Sequence, residues 1–285
     1  VVGLCLGFLV GAVLLVPVHD YAAISIRGQD TAGGGGVGLD YATGWSLSPD
    51  ELGTLVLPAT AGFGKATYMG LMPFNDYPNY LGFLLLLLAA VTWQRQTRGL
   101  MMALMIFAVL VVQVSFGEGF YQLLYNYLPF FNKFRVPSMV LILLAFSVAL
   151  LAPRGVANWQ KGQTGFGKPL ALPLILAAVG VLSLVAGAAG VAKSSYISQL
   201  TDLAAKGGKQ AAPVLLDQAW LLHKASLVRI GLVCLAAAGA LWYSLKSDAF
   251  RSRGLVWVLV GLVLLDLAAV NSKIIHPEKS LQAVV

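Results

Sequence analysis

Residues 225–245 read ASLVRIGLVCLAAAGALWYSL, and beyond the polar turn KSDAFRSRG (246–254) residues 255–270 read LVWVLVGLVLLDLAAV. Each block approaches the ~20 apolar residues that cross a hydrocarbon core as a helix. Each holds a single charge, Arg229 in the first and Asp266 in the second. The apolar residues run in long blocks and do not alternate or recur at helical intervals, so one buried core cannot absorb them. Working outward, five more such blocks lie near residues 1–18, 79–93, 100–116, 136–152 and 169–191. The whole chain of 285 residues is 58% hydrophobic and 11% charged, against roughly 25% charged in a soluble domain, and its mean hydropathy is +0.80. These features predict an all-α polytopic membrane protein: one membrane domain over 1–285, about seven transmembrane helices, and short interfacial helices in the loops.

The charges orient the spans. Three short loops, Gln94–Gly99, Pro153–Lys168 and Lys246–Gly254, hold eight basic residues (Arg95, Arg98, Arg154, Lys161, Lys168, Lys246, Arg251, Arg253) and one acid, Asp248. The positive-inside rule places them in the cytoplasm. The long segments 19–78, 117–135 and 193–224 then face outward, and His19–Asn79 carries six acids against Arg27 and Lys65. Short turns predict that spans two and three, four and five, and six and seven are antiparallel neighbours. The net charge of +7 therefore reflects topology and does not point to nucleic acid. Gly3, Gly7 and Gly11 recur every four residues in the first block, a face on which another helix backbone could pack, including that of another membrane subunit.

Cys5 and Cys234 both lie in apolar blocks, so neither a disulfide framework nor a CxxC site is available. His19, His223 and His276 are too scattered for ligand spacing, and no metal site is expected. The chain opens on Val1 without a signal-peptide pattern, and we expect it to be part of something longer.

Within the first long segment, Ser48, Pro49 and Glu51 predict a helix over Pro49–Leu57, with Ser48 as N-cap and Glu51 closing a capping box. In the second, Phe120, Leu123, Leu124 and Tyr127 share helical spacing, the pattern of an interfacial helix. It is followed by Lys133 and Arg135 at the mouth of the fourth span. Free helix amides and two cations there would favour a phosphate or anionic headgroup, although snorkelling of basic side chains explains the same spacing. In the third, a helix around Ile197, Leu200 and Leu203 and a second over Pro213–Leu222 are expected at the interface. Arg229 and Asp266 are each placed about four residues from the outer ends of the sixth and seventh spans, roughly 6 Å deep. Matched depth predicts a buried ion pair.

Three stretches, LDYATGWSLSPDELGTLVLP (39–58), YLPFFNKFRVPSM (127–139) and LLDLAAVNSKII (264–275), give the chain a diffuse likeness covering most of its length. It resembles the YfhO family of bacterial multi-spanning membrane proteins, most specifically in Trp45–Glu51 and Phe134–Ser138. That family is similar in layout to lipid-linked-sugar glycosyltransferases of the C type. The resemblance implies a bacterial inner membrane location and a polyprenyl-phosphate-linked sugar donor. It also implies membrane lipids as partners and cations that hold the lipid phosphate, with Lys133 and Arg135 foremost and Arg27 and Lys65 behind them. Family members are longer, with the acidic catalytic residue expected in a preceding half, so no catalytic residue is assigned in this chain. Two other readings remain open: an accessory subunit of a membrane complex, and a transporter, which would call for internal repeats that the sequence does not show.

Overall fold

The computed structural model describes residues 11–13, 16–17, 21, 38–64, 66–72, 77, 79–90, 98–129, 131–133, 135–162 and 169–274. Among the described residues the protein is helical, with one isolated bridge between Thr60 and Gly62 and no strand. The helices are α1 (Leu39–Thr43), α2 (Phe83–Ala90), α3 (Arg98–Ser115), α4 (Phe120–Tyr127), α5 (Leu141–Gln160), α6 (Ala171–Ala189), α7 (Lys193–Lys206), α8 (Pro213–Lys246) and α9 (Leu255–Asn271). Short 3-10 turns cover Pro49–Leu55, Phe131–Lys133 and Pro137–Val140, and a π-turn, Phe250–Gly254, leads into α9.

Among the described residues four helices are long and apolar enough to cross a membrane: Pro137–Gln160, Ala171–Ala189, Pro213–Lys246 and Phe250–Asn271. A fifth arises if Met102–Ser115 and Phe120–Tyr127, which meet at 81°, form one broken span. The break falls at Gly117 and Gly119, both with positive φ, a backbone state that side-chain-bearing residues resist. Of the seven expected spans, the first lies mostly outside the described residues, with Gly3 and Gly7 among those not covered. The second, expected over 79–93, is an eight-residue helix within its described part.

Boundaries shift where tertiary contacts outweigh local signals. The fourth span is expected over 136–152, one residue short of Pro153, a residue type that removes a ladder hydrogen bond. α5 instead runs through Pro153 to Gln160. Trp159 is buried there and donates through Nε1 to Ser244 Oγ at 2.9 Å, while Gln160 donates to the carbonyls of Arg251 and Ser252. The expected interfacial helix Pro213–Leu222 and the sixth span are one continuous helix of 34 residues. At 1.5 Å per residue it is about 51 Å long, well beyond a hydrocarbon core of about 30 Å. Arg229 sits near the middle of this helix. The expected helix after Ser48 is a 3-10 turn ending at Leu55.

Two contact units divide the chain, residues 1–47 with 110–140 and residues 48–109 with 141–285. In the first, Ala42, Val114 and Tyr121 form a small core. Tyr121 is the buried residue of α4, and Leu123 and Tyr127 are exposed. In the second unit, α2, α5, α6, α8 and α9 surround a core that includes Leu84, Trp159, Leu176, Cys234, Leu241 and Leu255. Here α6 packs along α8, α2 along α5, and α9 on α8. The expected pairing of spans four and five, α5 with α6, is not among these main contacts. Gly180 and Gly231 account for the choice: a Cβ on either would lie 3.0 Å from the other's carbonyl oxygen, so only side-chain-free faces let α6 and α8 approach this closely.

Candidate functional site

In the first unit, the chain from Arg135 to Ser138 folds back on the loop after α1. Val136 N–H donates to Ala42 O at 3.1 Å, and Ser138 Oγ donates to Trp45 O at 2.7 Å. Between these two anchors Val136 has φ +64, a left-handed state rarely held by a β-branched residue and costing roughly 1–3 kcal/mol. The result is a stiff turn that positions Arg135. Its guanidinium carbon lies 4.2 Å from the Trp45 ring centroid and 4.7 Å from that of Tyr41, and Nη1 donates to the Tyr41 hydroxyl. Stacking on two rings fixes the plane of the guanidinium. No acid pairs with Arg135 among the described residues, so the clamp presents a positive charge with free edges. The Tyr41 and Trp45 partners were not foreseen. The motif Trp45–Glu51 and the motif Phe134–Ser138 were each visible, but nothing in their spacing joins them.

Of the other proposed phosphate-binding cations, Lys133 closes the 3-10 turn Phe131–Lys133, and only its backbone is described. Arg27 and Lys65 lie outside the described residues, as do His19, His276 and Cys5.

In the second unit, Glu51 is 1% exposed and does not close a capping box. Ser48 Oγ accepts from Asp50 N–H at 3.3 Å. The Glu51 carboxylate turns inward, where it accepts from the Tyr68 hydroxyl and, at 3.3 Å, from Leu71 N–H. Gly70 lines this nest so closely that a Cβ would overlap both the carboxylate and the phenol. Lys209 donates to Gly70 O at 2.6 Å and sits 4.8 Å from the Tyr68 ring centroid, closing the loop from above. An enclosed acid of this kind organises a loop and has no access to a substrate.

Beside it lies a polar cleft of about 180 Å³ lined by Asp50, Thr60, Gln199, Asp202, Leu203 and Lys206. Lys206 and Asp50 pair across it at 2.5 Å. Behind the cleft, Tyr196 of α7 donates to Ala59 O at 2.8 Å and stacks on His223, with ring centroids 4.2 Å apart. Burial raises the Tyr196 phenol above its ordinary pKa, so it remains a neutral donor. His223 contacts the same carbonyl through Nδ1. It is thus a packing residue, and no group of metal-ligating side chains occurs among the described residues.

Arg229 and Asp266 come together between α8 and α9, with Nε 2.9 Å from Oδ1. The approach is a charge contact and not an aligned hydrogen bond, because Arg229 Nε and Nη2 and Asp266 Oδ1 have no partner of hydrogen-bond geometry. Alignment is better on the other side of the carboxylate, where the Tyr80 hydroxyl donates to Oδ2 at 2.6 Å. The same hydroxyl accepts from Phe83 N–H at 3.1 Å, and the guanidinium lies 5.3 Å from the Tyr80 ring centroid. Tyr80 is thus a third member: it lies in the second expected span, 79–93, but nothing in that span's sequence points to Asp266, and only folding brings it to α9.

Comparison of the chain with protein-family models, with curated proteins and with solved structures finds no match.

Proposed function

We propose that this chain is the membrane-embedded part of a bacterial inner-membrane protein of the YfhO kind, similar to lipid-linked-sugar glycosyltransferases. In this reading it crosses the membrane about seven times with the long segments outside. Its task is to hold the phosphate of a polyprenyl-phosphate-linked sugar at the outer surface. The observation that carries the reading is the Arg135 clamp: a cation stacked between Tyr41 and Trp45, unpaired with any described acid, at the start of the apolar helix Pro137–Gln160. A fixed guanidinium meets a phosphate with two parallel donors, which a lysine cannot do. Lys133, Arg27 and Lys65 are secondary members of the same anion site. Glu51 is enclosed, so it is not the base that activates the acceptor.

The test is the polyprenyl phosphate that co-purifies with the protein. Arg135→Gln should lose at least about tenfold of it, given that a hydrogen bond to a charged group is worth roughly 1.5–3 kcal/mol, and Arg135→Lys should recover only part. Unchanged co-purification in both variants would remove the reading. Sidedness is tested separately: cysteines at Thr43 and Ser198 should react with an impermeant reagent outside intact cells, and one at Gln163 should not. Labelling of Gln163 alone reverses the orientation.

A further inference from the structure

Within the second unit, the basic end of α5 and α9 carries a feature that does not depend on the function proposed above. Between α2, α5 and α9 runs a groove of about 230 Å³ whose walls include Leu88, Pro153, Val156, Val256, Val260 and Leu264. On α5 the lining residues extend from Ala152 to Gln160, and on α9 from Val256 to Leu264, so the groove is about 12 Å long at the helical rise.

The groove is apolar along its length and polar only at one end, where Gln160 lines it and donates to the carbonyls of Arg251 and Ser252. The same end carries the cations. Arg253 lies one turn before Val256 and Lys161 follows Gln160, and neither pairs with an acid among the described residues. Asp248, the one acid nearby in sequence, is taken by Arg251 at 2.5 Å. Trp242, Tyr243 and Trp257 are all exposed at this end, the level at which aromatic rings mark the boundary between headgroups and hydrocarbon. The groove therefore lies on the hydrocarbon side of that level and its cations at the headgroup level.

From this charge complementarity we infer that the groove binds one acyl chain of an anionic phospholipid, with the phosphate held by Arg253 and Lys161. A second copy of the chain is the poorer occupant, because pairing two such grooves would bring their cations together.

The test uses the chain reconstituted with vesicles of equal phosphatidylglycerol and phosphatidylcholine, followed by native mass spectrometry of the lipid retained. Phosphatidylglycerol should be enriched at least about fivefold, and Arg253→Gln and Lys161→Gln should each cut the enrichment about fivefold. Both side chains are exposed, so these variants keep the fold and carry the test by themselves. Val260→Trp, which fills the groove, should abolish retention. Retained lipid in the bulk ratio overturns the inference, and so does unchanged enrichment in Val260→Trp. A dimer that Val260→Trp splits, with no lipid bound, also overturns it and assigns the groove to a second copy.

Discussion

Glu51 and Asp266 are both sealed from solvent, at 1% and 2% exposure, yet their surroundings satisfy them by opposite means. Glu51 sits in a short 3-10 turn beside irregular backbone, and its partners among the described residues are neutral donors, the Tyr68 hydroxyl and Leu71 N–H. Lys209, a cation described beside that nest, goes to carbonyl oxygens. Asp266 sits inside α9, where every neighbouring amide is already spent on the helix ladder. It depends on side chains from elsewhere, Arg229 of α8 and the Tyr80 hydroxyl. A buried acid in a loop can thus be solvated by its own segment, while a buried acid in a helix must recruit a partner and so ties helices together.

This contrast predicts an order of effects. The largest is Asp266→Asn, which strands a buried guanidinium and should cost about 3–5 kcal/mol, read as a shift of the unfolding midpoint in mixed detergent micelles. Replacing both residues, Asp266→Asn with Arg229→Gln, should cost less than the single change. A double variant as unstable as the single one would mean that Arg229 does not depend on Asp266.

Next is Gly70→Ala. Its new methyl group would overlap the Glu51 carboxylate and the Tyr68 phenol, and overpacking of this sort costs typically 1–3 kcal/mol. Because the nest is local, the loss should appear as faster proteolysis between residues 48 and 72, with the helices remaining protected. Uniform loss of protection would show that the nest and the helices are one cooperative unit.

The two phenols compare the modes directly. Tyr68→Phe removes the only side-chain donor described on Glu51 and should cost about 2 kcal/mol. Tyr80→Phe leaves Asp266 its charge partner and should cost about 1 kcal/mol. The reverse order would indicate that Tyr80, and not Arg229, is the main support of Asp266.

The sequence by itself determined that this is a helical membrane protein and where most of its apolar helices lie. Hydropathy adds up along a single segment, and a block such as Leu255–Val270 needs no knowledge of its neighbours to be read. It also offered Arg229 and Asp266 as partners, because two isolated charges at similar depth on chain-adjacent spans have few alternatives. Helix ends were less legible: Pro153 is a local stop signal, but the buried Trp159 and its bond to Ser244, 85 residues away, carry α5 past it. Least legible were the contacts that complete each site. Tyr80 reaches Asp266 across 186 residues, and Arg135 reaches Tyr41 across 94. In sequence Glu51 reads as a helix cap. Only the approach of Tyr68 and Gly70 shows it turned inward, because a side chain's hydrogen bonds depend on which atoms surround it in space and not on those beside it in the chain.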